Sequence, residues 1–214
     1  RKIHGTENVY FITGTDEHGT TNFQAAEKKG VDVQEYTREV SAEDKKQIDA
    51  LNVSYDRFIR TTDEDHKKTA ADFFDAAVKT GDVYKGKYEG FYCEGCEAYK
   101  TLSDLDENKQ CPNHPTREIQ ILQEENYFLA WSKYAKQLKE LLENDLVLPK
   151  HRRSEMLAFL EEGLQDIPVS RPRYKVPWGI DVPCDKNQVI YVWYDALVNY
   201  YTFAKKHDLW NEET

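Results

Sequence analysis

Residues 9–20 read VYFITGTDEHGT. Val9 to Ile12 is an unbroken apolar run of the kind buried on both faces of a parallel sheet, and it predicts a strand over residues 8–13. An acid pair, an imidazole and two glycines follow at once. Behind them, residues 22–29 (NFQAAEKK) are helix formers that stop at Gly30, so the unit is strand, polar turn, helix. In a parallel sheet, ligands gather outside the carboxyl ends of strands, which makes this turn a candidate rim of a site. Two readings stand side by side. Asp16, Glu17 and His18 cap the following helix, or Asp16 offers a carboxylate to a ligand ammonium while Gly14 and Gly19 let the backbone approach closely.

Further along, residues 33–51 predict a second helix with Tyr36, Val40, Ile48 and Leu51 facing inward. Residues 55–60 alternate like a strand, and Thr61 to Asp65 supply cap chemistry for a helix through Val78 that ends at Gly81. This alternation is that of an open α/β sheet. From Tyr84 the chain becomes glycine-punctuated and tyrosine-rich with no helical period, the mark of a small inserted module. Helices are predicted to resume over 126–144, where Phe128, Trp131, Ala135, Leu138 and Leu142 recur at helical steps, and over 154–164. A second apolar run at 189–193 (VIYVW) predicts a strand that returns the chain to the sheet, followed by a helix over 195–201. The expected division is 1–78, an insertion 79–170, and 171–214. At this second strand end Trp193, Ala196 and Tyr200 bring an indole, a methyl and a phenol together. Such a set can enclose a slender apolar side chain, though on their own these residues are more often core than pocket.

Inside the insertion, Cys93-Glu94-Gly95-Cys96 is a C-x2-C knuckle, and Cys111-Pro112-Asn113-His114 is a C-x2-H. Two short-spaced pairs let each loop supply two corners of one tetrahedron. Cys93, Cys96, Cys111 and His114 are therefore predicted to hold a structural zinc with no position open for catalysis. Cys184, beside Pro183, is expected to be a packed thiol.

The chain has 214 residues, 39% hydrophobic and 13% aromatic, the balance of a folded protein with a substantial core. Its net charge of -10 argues against a general polyanion-binding surface, and the local basic cluster Lys150 to Arg153 reads as a solvated helix start ahead of a binding role. No run approaches a membrane span and no signal-peptide pattern opens the chain, so an intracellular, cytoplasmic protein with no membrane partner is expected. A sequence that opens on Arg1 and closes directly after a helical pattern is expected to be a piece of a longer protein.

Five segments occur in one order: FITGTDEHGT (11–20), YCEGCEAYKT (92–101) with CPNH (111–114), EENYFLAWSKY (124–134), DIPVSRPRYKVPWGIDVP (166–183) and VIYVWYDALVNY (189–200). Together they resemble the methionyl-tRNA synthetases, class I aminoacyl-tRNA synthetases, of the type with a single zinc knuckle. The resemblance covers essentially the whole chain. The first segment is shared with the valine, isoleucine and leucine enzymes, whose large editing domain would not fit between the two strand ends. The resemblance implies a Rossmann-like α/β catalytic domain with a parallel sheet, interrupted by a zinc-binding connective peptide. It implies ATP-dependent activation of L-methionine to methionyl adenylate and transfer to tRNA(Met), with Mg²⁺ accompanying ATP. By position, Asp16 would pair with the substrate ammonium. Trp193, Ala196, Leu197 and Tyr200 would line the side-chain pocket, Leu197 standing where some members carry proline. Arg171 would engage the substrate carboxylate and the ATP phosphates, a role that suits its fixed charge and fork of donors. His18 belongs to the shared motif. The two ATP signatures of the family would lie outside this stretch, as would most tRNA contacts, so the piece by itself is expected to be inactive. Two rivals remain: a cysteine-type class I synthetase, whose zinc would be open to substrate, and a non-catalytic zinc- or tRNA-binding relic.

Overall fold

The computed structural model describes residues 9–96, 98–100, 102–144 and 149–210. The architecture is mixed α/β. Strand β1 (Ile12–Thr15) pairs in parallel with β2 (Arg57–Arg60), and helices α1 (Thr20–Lys29) and α2 (Val33–Ala50) make the crossover between them. Gly14 is what lets the two strands approach: a Cβ there would sit 1.7 Å from the carbonyl oxygen of Ile59. Helix α3 (Glu64–Lys79) leads into a four-stranded antiparallel sheet, order β4-β3-β5-β6, built from β3 (Val83–Cys93), β4 (Ala98–Lys100), β5 (Ile119–Leu129) and β6 (Ile167–Pro168). Helices α4 (Ala135–Glu143) and α5 (Lys150–Glu161) pack together between β5 and β6. A second antiparallel sheet, order β7-β9-β8, comprises β7 (Ser170–Pro172), β8 (Asp181–Val182) and β9 (Asp185–Ile190), and α6 (Val192–Lys206) closes the chain.

The core joins these pieces. Phe74 of α3 is fully buried among Val83, Val169, Val182, Ile190 and Val198, with the rings of Tyr127 and Tyr194 edge-on to it at 5.6 and 5.5 Å. Burial pushes the Tyr127 phenol up to about 12, and the neighbouring Cys184 thiol adds to it.

Several sequence expectations need correction. The first strand starts later and runs on to Thr15. Tyr10 and Phe11 are half-exposed, with Tyr10 leaning on the Phe203 ring of α6, and residue 8 lies outside the described residues. In α2 the buried face carries Thr37 and Ser41, whereas Val40 and Leu51 are exposed. The reason is the neighbour: Ser41 Oγ lies 2.9 Å from Thr15 Oγ1, so small hydroxyls let the helix sit against the end of β1. Residues 126–129 are strand, not helix, because β5 pairs with β3 along its whole length from Val83↔Leu129 to Cys93↔Ile119. A 3-10 turn (Trp131–Tyr134) intervenes before α4.

The second apolar run also divides: β9 ends at Ile190, and Val192 and Trp193 already belong to α6, whose first turn is closed by the Asp195 amide donating to the Tyr191 carbonyl. β9 does not extend the β1–β2 pair but pairs antiparallel with β7 and β8. The helix expected over 154–164 is α5, shifted towards the N-terminus. Near its start His151 and Arg152 are exposed, and Arg152 pairs with Glu155 at 2.7 Å. Cys184 is exposed rather than packed, because it lies in the tight connection between β8 and β9, with its sulfur 3.5 Å from the Tyr127 hydroxyl. Among the described residues no helix is long and apolar enough to cross a membrane.

Candidate active site and metal centre

The polar turn after β1 is held from both sides. Helix α1 takes Gly19 as its N-cap, a residue with no side chain to close the helix. Glu17 is buried and acts as a brace. It accepts from Arg60 Nε at 2.8 Å and Nη2 at 2.9 Å, and from the hydroxyls of Thr15 and Thr62 at 2.7 Å each. Its own amide donates to Thr61 Oγ1 at 2.9 Å. A bidentate guanidinium with two hydroxyls satisfies a buried carboxylate well. This fixes the backbone on which Asp16 and His18 stand.

The two ends of the chain meet at His18. Its Nδ1 lies 2.9 Å from Asp195 Oδ2, a contact spanning 177 positions between two side chains with almost no exposure. Asp195 sits in the first turn of α6, where a carboxylate faces the positive end of the helix. Behind it, His66 Nε2 is 3.8 Å from Asp195 Oδ1, and Thr202 Oγ1 lies 3.3 Å from His66 Nδ1. The Trp178 ring leans on the His18 imidazole at 5.1 Å.

His18 and Arg171 line one small cavity together with Tyr191 and Val192. Arg171, on β7, is 5% exposed. Among the described residues no carboxylate lies within ion-pair distance of it, and its guanidinium instead faces three tyrosine rings: Tyr191 at 4.2 Å, Tyr99 at 4.8 Å and Tyr92 at 5.5 Å. It also lines a cleft of about 250 Å³ with Thr20, Gln24, Tyr92, Tyr99 and Lys175. A buried cation without a counter-charge is costly, and an anionic ligand relieves that cost.

The other predicted residues lie outside this cluster. Asp16 follows β1 directly and is exposed. Trp193, Leu197 and Tyr200 are 63, 69 and 61% exposed along one face of α6, with Ala196 half-buried beside them. They present an apolar stripe at helical spacing rather than a closed pocket. The two strand ends meet through His18 and Asp195.

Cys93, Cys96, Cys111 and His114 come together at the tip of the β3–β4 hairpin and the following loop, with all four donor atoms within 4.8 Å of one another. Tetrahedral zinc with arms of about 2.3 Å to sulfur and 2.0–2.1 Å to nitrogen would separate its donors by roughly 3.5–3.8 Å. The Cys96 to Cys111 sulfurs are 3.5 Å apart, and His114 Nδ1 lies 3.3, 3.8 and 4.0 Å from Cys96, Cys93 and Cys111. Burial pushes the Cys111 thiol up, but hydrogen bonds from His114 and Cys96 outweigh it and bring it down to about 6. The quartet fits a metal closed to substrate.

Sequence reasoning offered Glu17 only as a helix cap and assigned no role to Asp195, Tyr92, Tyr99 or Trp178. Asp195 lay inside a segment already singled out, and Tyr92 and Tyr99 flank the knuckle, but nothing local announces their partners.

Residues 1–122 and 115–213 match the profile of the family described as tRNA synthetases class I (M). The chain is 42% identical to the methionine–tRNA ligase of Thermotoga maritima over 211 residues, 96% of this chain and 33% of that protein. It is 41% identical to that of Synechocystis sp. over 203 residues, 94% of this chain and 38% of the relative. It thus spans about a third of the curated relatives it matches. Among solved structures, Mycobacterium tuberculosis methionyl-tRNA synthetase in complex with methionyl-adenylate superposes with a TM-score of 0.85 at 35% identity, over 96% of this chain and 41% of that one. The apo form of the same enzyme gives 0.71 at 28% identity, over 95% and 47%.

Proposed function

The chain belongs to the class I tRNA synthetases of this group, and from that premise we propose that the protein it forms part of is a methionine–tRNA ligase, activating L-methionine with ATP and transferring it to tRNA(Met). A methionine carboxylate oxygen attacks the α-phosphorus of ATP, and the bond from that phosphorus to the departing pyrophosphate breaks. A hydroxyl of the terminal adenosine of the tRNA then attacks the methionyl carbonyl, and the acyl–phosphate bond breaks with release of AMP. Such a displacement needs little covalent help, so catalysis rests on alignment and on cations placed where negative charge builds.

The observation that carries this reading is Arg171, buried, without a described carboxylate partner, and sharing a cavity with His18 where the two strand ends join. Its fork of donors suits the substrate carboxylate and the phosphates. Asp16, exposed beyond β1, pairs with the α-ammonium. The α6 stripe of Trp193, Ala196, Leu197 and Tyr200 covers the thioether by shape and soft contact, since a thioether offers almost no hydrogen bonding. Mg²⁺ accompanies ATP. Zinc in the Cys93, Cys96, Cys111 and His114 quartet supplies a structural cross-link. Residues 79–170 form the connective peptide between catalytic parts 1–78 and 171–214, and the protein works in the cytoplasm. A cysteine-type enzyme would need a metal open to substrate, whereas these four donors complete a shell of their own.

Pyrophosphate exchange by the full-length protein, assayed across the amino acids with zinc determined on the same sample, tests the reading. Exchange is expected with methionine alone, at about one zinc per chain. Exchange driven by cysteine, or by no amino acid, overturns it.

A further inference from the structure

The Arg171 guanidinium reaches no described carboxylate, yet it is held in one place. Tyr191, the residue before α6, supplies one of the three rings around it, and the other two come from the metal subdomain. Tyr92 and Tyr99 face each other across the β3–β4 hairpin, with ring centroids 5.3 Å apart in a T-shaped contact. Tyr92 immediately precedes Cys93, and Tyr99 lies on the return strand just after Cys96. The turn of this hairpin is the C-x2-C knuckle itself. It packs so tightly on His114 that a Cβ at Gly95 would fall 2.5 Å from the imidazole ring. Whatever fixes the quartet therefore fixes the hairpin, and with it the two ring faces presented to Arg171.

Aromatic faces attract a guanidinium through the ring quadrupole, and the attraction grows when water is excluded. They hold the cation without neutralising it, which a carboxylate would do. We propose that Tyr92 and Tyr99 are positioning residues that aim the Arg171 guanidinium at its anionic ligand, so that the integrity of the Cys₃His quartet is transmitted to the substrate site through two ring faces. The inference rests on the reading above that Arg171 engages the substrate carboxylate and phosphates.

The ring face, not the hydroxyl, carries this role, which sets the test. Full-length wild type, Tyr99→Phe, Tyr99→Leu, Tyr92→Phe and Tyr92→Leu are compared by three measurements. These are bound zinc, the rate at which phenylglyoxal modifies Arg171 followed by peptide mass spectrometry, and kcat and KM in methionine-dependent exchange. The leucine variants should keep their zinc, expose Arg171 to the reagent several-fold faster and lose about tenfold in kcat, equivalent to about 1.4 kcal/mol. The phenylalanine variants should keep their zinc and lie clearly closer to wild type than their leucine counterparts in modification rate and kcat. Stripping zinc from the wild type by chelation should likewise accelerate Arg171 modification, which keeps the test alive if a leucine variant does not fold. Leucine variants and stripped protein that modify at the wild-type rate overturn the proposal, as does a phenylalanine variant as impaired as its leucine counterpart. A wild type without methionine-dependent exchange sinks the functional reading instead, while the modification rates still decide whether the rings hold the arginine.

Discussion

Replacing Asp195 by alanine removes the acceptor that holds His18 Nδ1 at 2.9 Å and the only carboxylate oxygen recorded near His66 Nε2, at 3.8 Å, among the described residues. Both imidazoles are buried and cannot turn to solvent for a substitute. A buried polar group left unpaired costs about 1–3 kcal/mol. Losing the carboxylate in the first turn of α6 adds about 0.3–1 kcal/mol. Asp195→Ala is therefore expected to destabilise by about 1–4 kcal/mol, a fall of roughly 2–16 °C in melting temperature for a domain of this size. Asp195→Asn keeps the shape, retains an oxygen for His18 and offers a donor towards His66, so it should lose only about 1 kcal/mol. Urea unfolding of the full-length protein, read at equal m-values, measures both. An alanine variant within about 1 kcal/mol of wild type, or an asparagine variant as weak as the alanine one, would refute the view that this pair fastens the two strand ends.

Three further outcomes are expected. Cys96→Ser should lower both metal content and melting temperature and weaken aminoacylation indirectly, since the quartet lies outside the Arg171 cavity; unchanged metal and melting temperature would count against a zinc role. Asp16→Ala in the complete enzyme should abolish methionine-dependent exchange while shifting the melting temperature little, because the side chain is exposed; near-normal exchange would remove it from the amino acid site. Gly14→Ala places a methyl 1.7 Å from the Ile59 carbonyl, so β1 and β2 must part; a cost of about 1–3 kcal/mol is expected, and a variant as stable as wild type would show that the pairing is looser than described.

What could be read in the sequence depended on how local the determining contacts are. The metal quartet was legible because each ligand pair is fixed by a two-residue spacing, and the α/β alternation because strand, turn and helix follow one another directly. Residues 126–129 misled because Phe128 and Trp131 fall at helical steps, while the pairing partner that makes them strand, β3, lies some forty positions away. The inward face of α2 misled because hydrophobic periodicity assumes an apolar neighbour, and the neighbour here is the polar end of β1. In the candidate site, the residue types were visible but their partners were not. Nothing near Glu17 announces Arg60, nothing near His18 announces Asp195, and the tyrosines around Arg171 come from three separate elements.

The long excursion between the two strand ends is less of a burden than its length suggests. Closing a flexible loop spanning the 177 positions from His18 to Asp195 would cost about 5 kcal/mol by the logarithmic rule, and halving it would recover only about 0.6 kcal/mol. Nor does the chain close it in one step. Val83, Tyr127 and Val169, all within the stretch expected as an insertion, pack in the same core as Phe74, Ile190 and Val198. β3 runs out to the metal quartet and β5 runs back along it residue by residue, so the excursion returns to its root as a paired ribbon. Val169 then hands the chain to Ser170, whose hydroxyl accepts from the Tyr127 amide at 2.8 Å, and Arg171 follows at the next position. The arginine's strand, β7, lies in the neighbouring sheet but is tied by that bond to β5, the strand that runs back from the metal quartet. The β3–β5 ribbon thus touches the arginine twice, through the Ser170 bond to β5 and through the ring of Tyr92 on β3, and a change that frays β3 from β5 should disturb the arginine and the quartet together.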